Sequence, residues 1–154
     1  MTKEYLSKEK YNELEEELKD LETVKRREVA DKLEYARSLG DLSENAEYND
    51  ARNEQSEIES RINYLTELLK NAEIVKQHHS TKIEVGSTVT VQKKGSDEKN
   101  QYQVVGGEES DISLNKISYE SPLGHAMLGK IKGEEFSFKT PAGTNVEYII
   151  VDIA

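Results

Sequence analysis

The chain has 154 residues, of which 34% are hydrophobic and 34% charged, and none is tryptophan or cysteine. So few apolar residues cannot surround one large core, although they can fill the seam between two helices or cover one face of a small sheet. The formal charge of −10 disfavours broad binding to nucleic acid or to an anionic membrane. The chain has no cysteine and no apolar run near the roughly 20 residues that span a bilayer, so we expect it to be cytoplasmic.

A change in composition near Lys76 divides the chain. Residues 1–75 contain no proline and only one glycine, Gly40, whereas both prolines and the other eight glycines follow. We therefore predict an α+β protein: an antiparallel coiled-coil hairpin over residues 1–75, a linker over 76–84 and a small β-rich domain over 85–154.

Both predicted helices of the hairpin carry an apolar seam. In the second helix, spacings of three and four link eight positions, with Gln55 as the polar member: Tyr48, Ala51, Gln55, Ile58, Ile62, Leu65, Leu69 and Ala72. The first helix has the same rhythm at Tyr11, Leu14, Leu18 and Leu21, and it resumes at Val29, Leu33 and Ala36. The skip at Lys25 resembles a stutter, which locally unwinds a supercoil.

A short turn joins these helices. Gly40 suits the left-handed residue that ends a helix, and Asp41 suits the cap that begins the next one. So short a turn requires antiparallel helices. The first helix, from about residue 7 to 39, would be roughly 50 Å long.

The second half has the alternation of short strands. Strands are predicted at Val85–Val91, Gln101–Val105, Glu135–Lys139 and Asn145–Val151. Ser121 followed by Pro122 starts a short helix that Gly129 ends. One short helix against an antiparallel sheet is the expected arrangement.

The turn between the helices is rich in acids. Asp41, Glu44, Glu47 and Asp50 place four carboxylates within ten positions. Asp followed three residues later by Glu is also a capping-box pattern, so helix capping alone is one interpretation. The other is a metal site: Asp41 and Glu44 could converge on one ion, but Mg²⁺ takes six oxygens, so a partner would have to supply the rest.

The residues around this turn resemble a known family. The stretch Ala36–Tyr48, ARSLGDLSENAEY, resembles the tip signature of the bacterial Gre transcript cleavage factors, and the GreA type more than the GreB type. Four later motifs resemble that family's FKBP-like domain: KIS at 116–118, SPLG at 121–124, LGK at 128–130 and TPAG at 140–143. The resemblance covers nearly the whole chain in order.

The resemblance implies a function inside a larger enzyme. The hairpin would enter the secondary channel of bacterial RNA polymerase while the C-terminal domain docks at the channel rim. The tip would stimulate the polymerase's own hydrolysis of backtracked RNA at the nascent 3′ end, so the protein itself would not be an enzyme. Asp41 and Glu44 would help to hold a second Mg²⁺ that is shared with the polymerase and is not tightly bound by the isolated protein, and Ser43 would support the RNA or the turn.

Further contacts are implied less directly. The docking surface would include Glu120, Ser121 and Pro122. Basic residues of the hairpin could contact the RNA, or could be solvated helix surface with partners such as Glu22 for Arg26; they are Lys25, Arg26, Arg27, Arg37 and Arg52. His78 and His79 could suggest a metal, but adjacent histidines without further ligands are typical of a linker.

Three other functions fit parts of the pattern. A Gre-like inhibitor would occupy the same channel without stimulating cleavage. A prolyl isomerase would use the FKBP-like half, although that activity needs an aromatic-lined apolar pocket. A scaffold would dimerise through its hairpin, whereas the cleavage factor is expected to be a monomer that does not bind membranes.

Overall fold

The computed structural model describes residues 3–76 and 80–154. Its helices and strands are, in chain order, β1 (Glu4–Leu6), α1 (Lys8–Asp20), α2 (Arg26–Ser38), α3 (Ala46–Lys70), β2 (Ala72–Ile74), β3 (Thr88–Lys93), β4 (Lys99–Val105), β5 (Lys116–Ser118), α4 (Pro122–Met127), β6 (Glu135–Lys139) and β7 (Asn145–Ile153). The predicted fold class, a long helical hairpin followed by a β-sheet domain with one short helix, is confirmed. Among residues 3–76 and 80–154, the helices lack the continuous apolar stretch that a membrane span requires.

The chain forms two compact units. Residues 11–71 form the hairpin, and the other unit combines residues 72–154 with the start of the chain up to Lys10. The sequence prediction had put the first ten residues with the hairpin. In the structure these residues belong to the other unit, because β1 pairs in parallel with β2, with Glu4 opposite Ala72 and Leu6 opposite Ile74.

The hairpin is held together by a narrow apolar seam. Its buried members are Leu14, Val29, Leu33, Ala36, Ala51, Ile58, Ile62, Leu65 and Leu68. The predicted seam is correct at most positions but wrong at Ala72, which lies in β2 after α3 has ended, and at Leu69, which is half-buried while Leu68 is buried. Leu68 and Leu69 both lie about one turn after Leu65, so the spacing alone does not choose between them.

A π-helical turn at Leu21–Lys25 separates α1 from α2. The predicted skip at Lys25 falls within this turn. Leu21 and Val29 are eight residues apart, which is slightly more than two α-helical turns, so a regular helix would rotate Val29 away from the seam. A π turn takes up the extra residue, and Val29 is 2% exposed.

The second unit contains a five-stranded sheet in the order β5-β4-β3-β7-β6. Neighbouring strands are antiparallel except β4 and β5, which are parallel, so the prediction of a fully antiparallel sheet is wrong at this edge. A parallel partner needs a crossover rather than a hairpin turn, and residues 106–115 supply it. The core consists of Ile83, Val89, Val91, Val104, Met127, Phe136 and Ile150.

Two parts of the prediction change near the start of this unit. Ile83 is 1% exposed and belongs to the sheet core, although it had been assigned to the linker. The first predicted strand begins at Thr88 rather than Val85, because Gly86 has a φ of +100° and breaks the extended backbone. The short helix, α4, begins as predicted with Ser121 as its cap and Pro122 at its first position.

Gly106 allows the start of the chain to lie against the sheet unit. A Cβ atom at Gly106 would lie 1.9 Å from the Tyr5 carbonyl oxygen, whereas one at Gly107 would meet nothing within 4 Å.

Gly106→Ala is expected to lower the free energy of unfolding by about 1–3 kcal/mol, since the backbone must move. Urea denaturation measures this change. Gly107→Ala is the matched control and should stay within about 0.5 kcal/mol of the parent; equal effects of both variants would contradict the packing described.

Candidate functional site

The turn between α2 and α3 is built from three backbone features. Gly40 has a φ of +122°, which favours glycine and ends the first helical segment. Asp41 is non-helical, with φ −59° and ψ 123°, and residues Leu42–Glu44 form one turn of 3₁₀-helix. Asn45 is extended and precedes α3. Asp41, Ser43 and Glu44 are therefore neighbours in one exposed turn.

The prediction that Asp41 caps the second long helix is wrong. The cap of α3 is Asn45, whose Oδ1 accepts a hydrogen bond of 3.1 Å from the Tyr48 N–H. Asp41 instead caps the 3₁₀ turn: its Oδ1 accepts bonds from the Ser43 N–H at 3.0 Å and from the Ser43 hydroxyl at 2.8 Å. Both residues are favoured caps, and the extra 3₁₀ turn decides which one serves α3.

Asn45 also makes a second bond that the sequence analysis missed. Its Nδ2 donates to the Ala36 carbonyl oxygen at 2.6 Å. Ala36 lies in the last turn of α2, and its carbonyl oxygen also accepts from the backbone N–H of Leu39 at 3.1 Å, so the amide of Asn45 is a second donor to this group. The only signal in the sequence was an Asn directly before a helix, which indicates a cap but not a partner on the preceding helix.

The hydrogen bonds at the turn affect the charge of Asp41. The backbone N–H of Ser43, and secondly its hydroxyl, hold the pKa of the Asp41 carboxyl below its ordinary value because both donate to the ionised form. Asp41 is therefore an anion at neutral pH. Glu44 is also exposed, as are Glu47 and Asp50 at the start of α3. Within residues 3–76 and 80–154, no three acidic or histidine side chains are grouped as a metal site.

Two of the predicted RNA-contacting residues have acidic partners. Arg26 forms a two-pronged ion pair with Glu59 on α3, at 2.8 and 2.9 Å. This hydrogen-bonded pair raises the pKa of Arg26 and lowers that of Glu59. Lys25 lies 3.4 Å from Glu28. The hydrogen-bonded partner of Arg26 is thus Glu59 on the opposite helix and not Glu22. Both Lys25 and Arg26 form ion pairs on the surface of the hairpin.

The other three cations differ. Arg27 and Arg37 are exposed, and neither has a carboxylate partner in the described part of the chain. Arg52, also exposed, contacts the Gln55 amide oxygen at 3.3 Å. Arg37 belongs to the last turn of α2 and Arg52 to the second turn of α3, so both lie near the acidic turn.

The predicted docking residues form the loop that begins α4. The Ser121 hydroxyl accepts from the Gly124 N–H at 3.1 Å and donates to the Ser118 carbonyl at 2.6 Å. Glu120 and Pro122 are exposed on either side of this half-buried serine. A Cβ atom at Gly124 would lie 2.0 Å from the Ser118 carbonyl oxygen, so the loop depends on that glycine. Ser121 fixes the shape of the loop through these two hydrogen bonds, and the side chains of Glu120 and Pro122 are exposed to solvent.

The surroundings of this loop are acidic. Partial burial, followed by the charges of Glu120 and Glu108, raises the pKa of the Glu4 carboxyl. Burial, followed by the charge of Glu120, likewise raises the pKa of the Tyr119 phenol. The ring of Tyr119 meets that of Tyr5 edge to face, with centroids 5.4 Å apart. The loop thus combines aromatic surface with negative charge. The remaining predicted candidates, His78 and His79, lie outside the described residues.

Both halves of the chain match known families. Residues 4–74 match the family described as transcription elongation factor, N-terminal. Residues 77–154 match the family described as transcription elongation factor, GreA/GreB, C-terminal.

Curated relatives are similar over most of their length. Transcription elongation factor GreA of Caldanaerobacter subterraneus subsp. tengcongensis is 48% identical over 140 residues, which cover 90% of this chain and 89% of that protein. Transcription elongation factor GreA of Clostridium botulinum is 46% identical over 142 residues, with 91% and 88% covered. Among solved structures, Gfh1 of Thermus aquaticus is 28% identical and covers 99% of both chains, with a TM-score of 0.45.

Removing the Ser43 hydroxyl tests the electrostatics of the turn. Ser43→Ala is expected to raise the pKa of Asp41 towards its ordinary value but not to restore it, because the Ser43 N–H still donates. These bonds favour the ionised form, so their contribution to stability is present above the ordinary pKa and is lost as the pH falls through the lowered one. A ¹³C NMR titration of the Asp41 carboxyl measures the shift.

Ser38→Ala is the matched control, because the Ser38 hydroxyl donates to a backbone carbonyl, that of Tyr35. It should leave the pKa of Asp41 unchanged. An Asp41 titration that is identical in the parent and in Ser43→Ala would show that the bond of the hydroxyl has no electrostatic effect.

Proposed function

The chain belongs to the GreA/GreB family of transcription elongation factors, and from this premise we propose that it stimulates RNA cleavage by a backtracked bacterial RNA polymerase. The polymerase would remain the enzyme, and this protein would contribute groups that the polymerase active site lacks. The hairpin would enter the secondary channel, reach the nascent RNA 3′ end and act as a monomer in the cytoplasm.

The observation that carries the proposal is the pair of exposed carboxylates in the turn of the hairpin. Asp41 caps the 3₁₀ turn that ends at Glu44, and neither acid is needed as the cap of α3, since Asn45 has that function. Capping of the long helix therefore does not account for them. Acids without a packing or capping role for the long helix are available to a partner.

The donor set fits a shared Mg²⁺. Carboxylate oxygens are the hard ligands that this ion prefers, but two carboxylates fill only part of its octahedral shell. The lowered pKa of Asp41 keeps that carboxylate ionised, and the bonds from Ser43 engage its Oδ1 rather than its Oδ2. A site formed by Asp41 and Glu44 would therefore be completed by oxygens of the polymerase or the RNA. When bound, the ion would supply charge neutralisation and a water of lowered pKa for phosphodiester hydrolysis.

The residues of this chain would have distinct tasks. Asp41 and Glu44 would hold and orient the shared site, and Ser43 would fix the carboxylate of Asp41 through its two hydrogen bonds. Arg37 and Arg52, which lie close to the turn in sequence and have no described ion pair, would contact RNA phosphates. We assign no RNA contact to Arg26, because its guanidinium is engaged by both oxygens of Glu59, and Lys25 and Arg27 are left as secondary candidates.

Docking would use the loop of Glu120, Ser121 and Pro122. Acidic charge beside the half-buried rings of Tyr5 and Tyr119 favours a basic, partly apolar partner surface. At the polymerase, this partner would be the rim of the secondary channel. The loop would then supply affinity, and the turn of the hairpin would supply chemistry.

The alternatives are less well supported. A Gre-like inhibitor shares the fold, and only a cleavage assay separates it from a stimulator, although both acids of the turn favour stimulation. The aromatic residues that a prolyl isomerase would need are used in packing: Phe136 is buried, and Tyr148 stacks with Phe136 and Phe138 at 5.6 and 6.0 Å. A dimerising scaffold would leave the exposed acids of the turn without a role.

Neutralising either carboxylate tests the proposed chemistry. Asp41→Asn and Glu44→Gln are each expected to reduce stimulated cleavage by at least about 10–100-fold, because each removes a charged ligand. The measurement is the rate at which a stalled, backtracked complex shortens its RNA, alongside the affinity for polymerase, which should be unchanged. Asp50→Asn removes an equal charge from α3 and should cleave like the parent. Parent-like rates in both turn variants would exclude the proposed role of the turn.

Reversing one charge in the loop tests docking. Glu120→Lys is expected to weaken polymerase binding roughly tenfold, because like charges would then face each other. At saturating concentration the variant should stimulate cleavage fully, since the acidic turn is intact. Asp97→Lys, an exposed reversal in the turn between β3 and β4, should bind like the parent. If Glu120→Lys keeps its full affinity, another surface carries the docking.

A further inference from the structure

Asn45 joins the two arms of the hairpin directly beneath the acidic turn. Its Oδ1 accepts from the Tyr48 N–H in the first turn of α3, and its Nδ2 donates to the Ala36 carbonyl in the last turn of α2. Ala36 is 1% exposed and is fixed in the seam of the hairpin. The side chain therefore connects the end of one helix to the start of the next.

Only an amide side chain makes both bonds. An aspartate at this position would still cap α3, but its ionised carboxylate has no hydrogen to donate to the Ala36 carbonyl. A serine would also cap the helix, but it has one oxygen on a shorter side chain and cannot span both groups. The bond to α2 can thus be removed while the helix cap is retained.

The bond to α2 closes a loop that carries both acids. Residues 37–44 lie between Ala36 and Asn45, and within them Asp41 is fixed by Ser43. Glu44 directly precedes Asn45, and no hydrogen bond or ion pair of its side chain is found in residues 3–76 or 80–154. The position of Glu44 relative to Asp41 therefore depends on the backbone, which Asn45 fixes at its base.

We infer that Asn45 is a positioning residue for transcript cleavage: its amide Nδ2 fixes the backbone that presents Glu44 beside Asp41. This inference rests on the function proposed above and adds a specific determinant of it. Misplacement of reacting groups by about 1 Å can cost on the order of 100-fold in rate, so a lost bond at the base of the turn is expected to reduce cleavage.

The test compares Asn45→Asp with Asn49→Asp in the full-length protein. Both add one negative charge to the start of α3, but the exposed side chain of Asn49 makes no bond to α2 in the described part of the chain. Asn45→Asp is expected to stimulate cleavage about tenfold less or worse, with unchanged polymerase affinity, whereas Asn49→Asp should resemble the parent. Asn45→Ser, which adds no charge, should show the same loss as Asn45→Asp.

Amide hydrogen exchange of the isolated variants provides a readout that is independent of cleavage. In Asn45→Asp, the Tyr48 amide should remain protected because the cap persists. The Ser43 amide, which Asp41 protects in the parent, should exchange faster because the loop has lost its bond to α2. Unchanged exchange at Ser43 would overturn the inference.

The cleavage results separate the two proposals. A parent-like rate for Asn45→Asp overturns the role of Asn45, and so does an equal loss in Asn49→Asp, since added charge would then be the cause. Asp41→Asn is included as a reference. If it is inactive while Asn45→Asp is parent-like, only the positioning role fails; if it also cleaves like the parent, the proposed function fails as well.

Discussion

The constraint on which this molecule depends is the pairing of backbone groups where one long helix ends and another begins. The last carbonyls of α2 and the first amides of α3 both lack partners within their helices, and a tight turn brings them together within a few residues. One side chain, that of Asn45, bonds to one group of each kind, and it shares the Ala36 carbonyl with the Leu39 N–H. Because the helix cap is supplied there, the preceding residues can form a separate 3₁₀ turn whose acids face solvent.

The hairpin below this turn is stabilised by a limited set of contacts. Its seam is one side chain wide, and ion pairs that cross from one helix to the other flank it at Arg26–Glu59, Lys32–Glu54 and Glu17–Arg61. Each pair is largely solvated, so each is expected to contribute little to the free energy of unfolding. Their more important effect is that they set the alignment of the helices. This alignment fixes which residues of α2 and α3 flank the turn.

The predictions from sequence succeeded where structure depends on local repeats. Spacings of three and four identified the seam, and the skip at Lys25 marked the π turn. Both features depend only on the spacing of apolar residues within one helix. They failed where a distant partner decides. The parallel pairing of β4 with β5 and of β1 with β2 involves strands of three residues that have no distinctive pattern. Asp41 and Asn45 are equally good caps by type, so only the folded turn distinguishes them. The structure exposes Asp41 and Glu44 in one turn, and their role in cleavage stays a prediction.

The central claim is that the turn of the hairpin works inside the active site of the polymerase. The most direct measurement places a photo-reactive amino acid at Leu42, which lies between the acidic residues and is 41% exposed, and maps its crosslinks in a backtracked transcription complex. We predict crosslinks to the RNA 3′ end and to polymerase residues at the active site. The account would be contradicted if the protein accelerated RNA cleavage relative to the polymerase alone while its crosslinks were confined to the outer surface of the polymerase.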